Sequence, residues 1–322
     1  MGGFQSKNRF PVNGRAVVIT GGSKGMGKAV GKILAEKGAN VVIVARNVEK
    51  LEDTLKYISK HASKPSFQRF HYISADLTDP TEAARILSET TAWNNNQPPD
   101  IFWCCAGSCH PGLFIDVPVE VLKEQMESNY FSSVYVAHAA VQSWINHFRS
   151  SPDPNQSAKH IVFTSSVCAF LPLIGYGPYT PTKTALRALS DTLSQEFLLY
   201  APLVAIRTHT VFPGTIFTEG YEKENLIKPA ITKNLEEGDG GQTPEQAAAA
   251  SVKGLERGEE LITTNGILGF AMKSGMLGGS KRNGWGLVDT LMSWVVVIIM
   301  VFVRKDMDGK VKTWGKERLG KR

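Results

Sequence analysis

Residues 16–38 constrain the fold of this 322-residue chain more than any other stretch. Ala16-Val17-Val18-Ile19-Thr20 is a short apolar, β-branched run of the kind that forms a buried strand. It leads directly into Gly21-Gly22-Ser23-Lys24-Gly25-Met26-Gly27. A helical pattern follows from Ala29 to Lys37, with Val30, Ile33 and Leu34 on one face and Gly38 as its stop. A glycine-rich turn between a buried strand and a helix start is where backbone N–H groups can approach a pyrophosphate, aided by the partial positive charge of the helix N-terminus. Gly21 to Gly25 also matches the G-x-S-x-G esterase elbow, but no histidine–acid pair accompanies it and a dinucleotide explains the glycines better.

Strand-like and helix-like segments alternate through the rest of the chain. The strands are expected at 15–20, 40–45, 69–74, 100–105, 159–165, 203–209 and 260–264, a rhythm that fits a doubly wound parallel α/β sheet of the Rossmann kind in a single domain. Residues 94–99 and 150–157 are polar loops within that domain, and there is no internal repeat. The expected division is an N-terminal extension (1–13), a dinucleotide-binding domain (14–265), an apolar membrane-associated region (266–303) and a basic tail (304–322).

The end of the second strand points to the cofactor. An NAD-specific site usually places an acid there to bind the ribose hydroxyl. This chain has Arg46, with Lys50 one turn on and Lys24 inside the glycine loop. Three cations and no acid suit a 2′-phosphate, so the expected cofactor is NADP(H). Further along, Tyr179 and Lys183 are four residues apart and Ser166 precedes the tyrosine by thirteen. A phenol, an ammonium and a hydroxyl at this spacing can converge on one carbonyl oxygen. Ser165 is the rival for the serine role; spacing favours Ser166.

With these motifs in order, residues 14–265 resemble the short-chain dehydrogenase/reductase family. Thr20-Gly21-x-x-x-Gly25-x-Gly27 resembles its cofactor fingerprint, with Ser23 and Lys24 inside it. Asp76-Leu77 resembles the pair that holds the adenine ring, and Asn129, Ser166, Tyr179 and Lys183 resemble its catalytic set. Pro213-Gly214, with Thr218 behind it, resembles the turn at the nicotinamide end. Cys104-Cys105-Ala106-Gly107 departs from the family's Asn-Asn-Ala-Gly, which keeps the small pair but puts the local bracing of the sheet in doubt. The glycine loop, Ala45-Arg46-Asn47 with Lys50, the Cys-Cys-Ala-Gly turn and the apolar C-terminal segment resemble the fungal branch that reduces 3-oxosphinganine to sphinganine. That resemblance implies NADPH, a long-chain lipid ketone as substrate, and the endoplasmic reticulum membrane with the catalytic domain facing the cytosol. Homo-oligomerisation is left open.

The resemblance assigns roles. Free tyrosine, with a pKa of about 10, is a poor base at neutral pH but a capable proton donor to an alkoxide. Lys183 is expected to lower the pKa of Tyr179 and to bond the nicotinamide ribose. Tyr179 and Lys183 therefore count as both catalytic and cofactor-binding. Ser166 is expected to hydrogen-bond the substrate oxygen, and Asn129 to hold a water that resupplies protons through Lys183. No metal is required, and the seven histidines show no metal-ligand spacing. Cys104, Cys105, Cys109 and Cys168 form no C-x-x-C and read as reduced thiols in a cytosol-facing domain.

Charge and hydropathy separate the C-terminal end. The fourteen residues from Thr290 to Val303 are apolar on every face, but at ~1.5 Å per residue they reach only ~21 Å, short of a ~30 Å hydrocarbon core. Extension back to Trp285 brings in Asp289. Residues 304–322 carry eight Lys/Arg and three Asp/Glu, so nearly all of the chain's net charge of +6 lies there, and nucleic-acid binding is a poor reading. A single span would separate this tail from the NADPH-using domain. A re-entrant or interfacial path, paired with residues 267–279, would keep both ends cytosolic. No secretory signal precedes the first strand. Gly2 sits in a myristoylation-like pattern, which short N-termini match by accident. Ile216, Phe217, Tyr221, Leu226 and Ile227 suit a lid over an aliphatic chain. The readings in competition are the same chemistry on a sterol ketone or a 3-oxoacyl thioester, a non-catalytic NADP(H)-binding protein, and a structural membrane adaptor.

Overall fold

A computed structural model describes residues 8–153, 155–238, 240–275 and 283–319, so the Gly2 pattern lies outside the described residues. The first half runs β1 (Ala16–Thr20), α1 (Gly25–Glu36), β2 (Asn40–Ala45), α2 (Val48–Ser59), β3 (Phe70–Ser74), α3 (Pro80–Trp93), β4 (Ile101–Cys104), α4 (Val119–Met126) and α5 (Ser132–Ser150). The second runs β5 (Lys159–Thr164), α6 (Thr180–Glu196), β6 (Ile206–Phe212), α7 (Glu219–Ile227), α8 (Ala230–Glu236), α9 (Pro244–Arg257), β7 (Leu261–Thr263), α10 (Gly266–Ser274) and α11 (Leu287–Leu319).

The strands form one parallel sheet in the order β3-β2-β1-β4-β5-β6-β7. Alternate residues of each central strand feed opposite cores. Val17, Ile19, Val41, Ile43, Ile101 and Trp103 pack with α1, α2 and α9, while Val18, Val42, Val44, Phe102 and Phe163 pack with α3, α5 and α6. Both faces are covered, which is why these strands are apolar throughout rather than alternating. The chain order reverses between β1 and β4, so the loops leaving these neighbours part and open a crevice at their C-terminal ends.

Local chemistry sets the helix ends. Asn47, Asp79 and Thr243 accept backbone N–H groups at the starts of α2, α3 and α9, and Thr243 with Gln246 forms a capping box. Gly258 ends α9 in the left-handed region at φ 79°.

Six strands lie within about a residue of the expected runs. The sixth starts three residues late, at Ile206 instead of 203. Leu203 and Val204 both donate their N–H to the carbonyl of Tyr200 and belong to a turn. The strand's own second half was obscured by Thr208, His209 and Thr210, which are polar yet buried. Thr208 is satisfied by the Ser190 hydroxyl at 2.8 Å, and His209 by the His160 ring at 3.0 Å and the Glu259 carbonyl at 2.7 Å.

The C-terminal segment is a single unbroken helix. α11 has 33 residues, about 50 Å of helix, and Leu287–Thr313 is long and apolar enough to cross a membrane. The turn of a re-entrant path paired with residues 267–279 would fall at residues 276–282, which lie outside the described residues. Asp289 is buried: its carboxylate accepts from Asn283 Nδ2 at 2.6 Å and from the Trp285 N–H at 2.9 Å. Asp289, Met292, Val296, Met300, Val303 and Met307 form a stripe of lower exposure at helical spacing. Val296 lies against Gly275 at the end of α10, and Phe302 to Thr313 line a groove of about 860 Å³ with Ala230, Ile231 and Asn234 of α8. The helix therefore lies along the domain at both ends, with Leu291, Trp294, Val295, Ile298 and Val301 turned outward.

Candidate active site

The glycine loop sits at the crevice. Cys105 N–H donates to the Thr20 carbonyl and Ala106 N–H to Thr20 Oγ1, both at 3.2 Å, which ties the loops after β1 and β4 together. A Cβ on Gly21 would stand 2.8 Å from Ala106 Cα, and Gly21 has φ 63°, so only glycine fits. α1 begins inside the loop at Gly25. Its N-cap Lys24 supplies no side-chain cap, and the first turn holds no acid. These first-turn N–H groups have no competing anion, as a pyrophosphate-binding turn requires. The residues present thus fit a dinucleotide.

Around this loop, Lys24 is exposed, Arg46 lies 4.0 Å from Asp76 and Lys50 3.2 Å from Glu219. The Ser23 carbonyl accepts from Thr54 Oγ1 at 2.8 Å, which anchors the loop to α2. Leu77 is buried under the β2 edge. Thr78 holds the Asp76 carboxyl below the usual carboxylate range through its N–H and hydroxyl, and Arg46 adds to this. Val167 N–H bonds the Pro213 carbonyl at 3.0 Å, and Thr218 caps α7 with its methyl beside Gly25.

The four residues of the expected catalytic set meet beyond this crevice. Ser166 and Tyr179 are hydrogen-bonded side chain to side chain. The Lys183 ammonium lies 5.6 Å from the Tyr179 ring centre and donates to the Thr164 carbonyl at 3.0 Å. Ser165 is engaged elsewhere: its hydroxyl donates to the Lys183 carbonyl at 2.7 Å, which fixes α6 on β5. Asn129 is fully buried in a π-helical turn, Glu127–Phe131, between α4 and α5. Its amide donates to the Ser108 carbonyl at 2.8 Å and accepts from the Ser108 N–H at 3.0 Å. A Cβ on Gly107 would collide with Asn129 Oδ1 and come within 3.3 Å of Lys183 Nζ. The retained Ala106-Gly107 pair is thus what leaves room beside both. At Cys104-Cys105 the sulfurs make two long contacts: Thr164 Oγ1 donates to Cys105 Sγ at 3.5 Å, and Cys104 Sγ donates to the Ser133 carbonyl at 3.9 Å.

Electrostatics differ from expectation in one respect. Lys183 was expected to lower the pKa of Tyr179, yet the phenol is pushed well above its ordinary value. Burial is the first cause; Cys109, Cys168 and Glu224 act in the same sense, and the Ser166 hydrogen bond opposes them. Burial also lowers Lys183 to about 8, against the raising effect of the neighbouring cysteines. Tyr179 is therefore held as a phenol that can give a proton. Cys104 and Cys105 are pushed up to about 12 and Cys168 to about 11, all mainly by burial, so these free thiols are unreactive packing groups.

Several residues beside Tyr179 were not singled out from the sequence. Tyr176 lies near it, 6.0 Å between ring centres and tilted by 54°, and Cys109 and Cys168 flank it. Glu224, Lys228 and Glu236, from α7, the turn after it and α8, converge on Tyr176. The i,i+4 spacing of Glu224 and Lys228 is visible in the sequence but is shared by many solvated helix pairs.

Residues 15–226 match the short chain dehydrogenase family. The chain is 46% identical over 319 residues to a 3-ketodihydrosphingosine reductase of Aspergillus fumigatus, covering 96% of this chain and 86% of that protein. It is 44% identical over 319 residues to a 3-ketodihydrosphingosine reductase of Neurospora crassa, covering 99% and 87%. Among solved structures, a short-chain type dehydrogenase/reductase from Mycobacterium ulcerans superposes with a TM-score of 0.65 at 22% identity, over 79% of this chain and 89% of that one.

Proposed function

The chain belongs to the short-chain dehydrogenase family, and from that premise we propose that it reduces the ketone of 3-ketodihydrosphingosine to the alcohol with NADPH, in sphingolipid synthesis. The observation that carries the reaction is the Tyr179 phenol, kept protonated by burial and hydrogen-bonded to Ser166. The names of the similar fungal reductases support the substrate.

A bound nicotinamide cofactor would supply a hydride for the carbonyl carbon. Tyr179 gives its proton to the carbonyl oxygen as negative charge develops there, and burial keeps it in the protonated form that donation requires. Ser166 donates a hydrogen bond to the same oxygen. Lys183, held by the Thr164 carbonyl, stabilises the tyrosinate left behind and would hydrogen-bond the nicotinamide ribose. Asn129 orders the Ser108 backbone along the path by which a proton returns. Gly21, Ser23, Gly25 and Gly27 would hold the pyrophosphate, Asp76 and Leu77 the adenine, and Lys24, Arg46 and Lys50 the 2′-phosphate.

The same proposal includes the endoplasmic reticulum membrane, with the catalytic domain in the cytosol where NADPH is used. The outward apolar face of α11, followed by Lys305, Lys310 and Lys312, supports an in-plane seat at an anionic lipid surface. The test is the detergent-purified full chain, with NADPH oxidation followed on 3-ketodihydrosphingosine, a 3-ketosteroid and a 3-oxoacyl thioester. Turnover is expected on the first at least tenfold above the others. Greater turnover on either of the others would replace the substrate assignment.

A further inference from the structure

3-Ketodihydrosphingosine carries an amino group on the carbon next to its carbonyl, so this substrate brings an ammonium close to the reacting atom. Resting on the reaction proposed above, we propose that Glu224 recognises that ammonium and is the residue that selects an α-amino ketone. Tyr176, Lys228 and Glu236 hold it in position.

Two carboxylates and one ammonium meet here. Lys228 Nζ lies 2.8 Å from Glu224 Oε1 and 2.6 Å from Glu236 Oε2, and Lys228 is only 4% exposed. The Tyr176 hydroxyl lies 2.7 Å from Glu224 Oε1 and 2.5 Å from Glu236 Oε1. A phenol has one proton to give, so it can donate to only one of these carboxylates at a time. The cluster is therefore short of one positive charge or one proton, in surroundings where an uncompensated carboxylate is costly. Lys228 shows that a primary ammonium fits there: it sits 5.5 Å from the Tyr176 ring centre and 4.9 Å from that of Tyr221.

The missing charge faces the chemistry. Glu224 hydrogen-bonds the Cys109 thiol, a weak donor, and both Cys109 and Glu224 act electrostatically on Tyr179. Next to the cluster is a groove of about 410 Å³ lined by His110, Leu113, Val117, Ile227, Pro229 and Ala230. Cys109 adjoins His110, and Lys228 lies between Ile227 and Pro229. An alkyl chain in this groove with its ketone at Tyr179 brings its ammonium past Glu224. The bound ammonium also offsets the Glu224 charge, which adds to burial in raising Tyr179, so recognition and proton transfer are linked. An N-acylated ketone carries no charge there and gains neither effect.

The test compares kcat/KM for 3-ketodihydrosphingosine and for the same hydroxy ketone lacking the amino group, with full-length wild type and Glu224→Gln. Wild type should prefer the amino ketone by on the order of tenfold or more, as loss of one charge-assisted hydrogen bond predicts. Glu224→Gln should lose at least that factor on the amino ketone and markedly less on the other. Equal losses on both, or no preference in wild type, would overturn the assignment while leaving the reductase reaction standing. No reduction of either ketone would overturn both. Should the variant fail to fold, wild type decides: octadecylamine should inhibit at least tenfold more strongly than octadecanol, and equal inhibition would overturn the assignment.

Discussion

At the residue scale, Lys183 carries a pH signature. Its ammonium is lowered to about 8, so the charge that stabilises the tyrosinate is present below that pH and lost above it. The kcat/KM for ketone reduction should fall on an alkaline limb near pH 8, measurable by steady-state NADPH oxidation across buffers. Lys183→Arg, if active, should move that limb upward; a wild-type profile flat through this range would contradict the role. On the proposed reading, Arg46 sets the cofactor preference. Arg46→Ala should cut the ratio of NADPH to NADH efficiency by on the order of 10- to 100-fold, with little effect on NADH alone. A ratio unchanged by the substitution would leave the 2′-phosphate to Lys24 and Lys50. Ser166, Tyr179 and Lys183 were legible because the chemistry needs three polar residue types at fixed spacing on one strand–helix unit. Tyr176, Glu224 and Lys228 were not, because their partnership crosses from the segment between β5 and α6 to α7 and the turn after it and leaves no local pattern.

At the scale of elements, β6 shows what periodicity can and cannot carry. Its apolar approach, Leu203 to Ala205, is a turn, while its polar middle is strand. Pairing with β5 and β7 outweighs composition: Thr208 and His209 find side-chain or carbonyl partners, and the backbone ladder holds Thr210 although its hydroxyl has no partner among the described residues. One of these partnerships has a consequence for stability. His160 stacks on His209, and burial, His209, Arg15 and Arg207 hold its pKa well below the ordinary 6.5. The unfolded chain thus binds more protons as pH falls below 6.5, so this contribution is full above that value and lost on acidification. The thermal midpoint should drop between pH 7 and pH 5.5, roughly, and His160→Gln should flatten that slope. Equal slopes in the two proteins would rule the pair out. The π-turn that seats Asn129 was also invisible to a 3.6-residue period, since it inserts one residue between α4 and α5.

At the scale of the molecule, the sheet order was legible because the strands and helices alternate and each strand is apolar on both faces. The path of the last helix was not. Thr290 to Val303 alone is too short to span, but α11 continues through the basic residues to Leu319, and its inner stripe lies on the domain from Asp289 to Met307. With both ends against the domain, tags placed at the N-terminus and after Arg322 should be digested together by protease in sealed microsomes. Protection of one alone would establish a span and contradict the in-plane seat. Deletion of residues 285–322 should reduce activity on long-chain ketones in vesicles more than on short soluble ones. The central claim is that the chain moves a hydride to a lipid ketone and that Tyr179 supplies the proton. It is tested most directly with NADPH deuterated at the transferring position of the nicotinamide. Wild type should yield sphinganine carrying the label at the former carbonyl carbon, while Tyr179→Phe should bind NADPH normally and turn over ~10² to 10⁴-fold more slowly. Unlabelled sphinganine, or full turnover by Tyr179→Phe, would contradict the account.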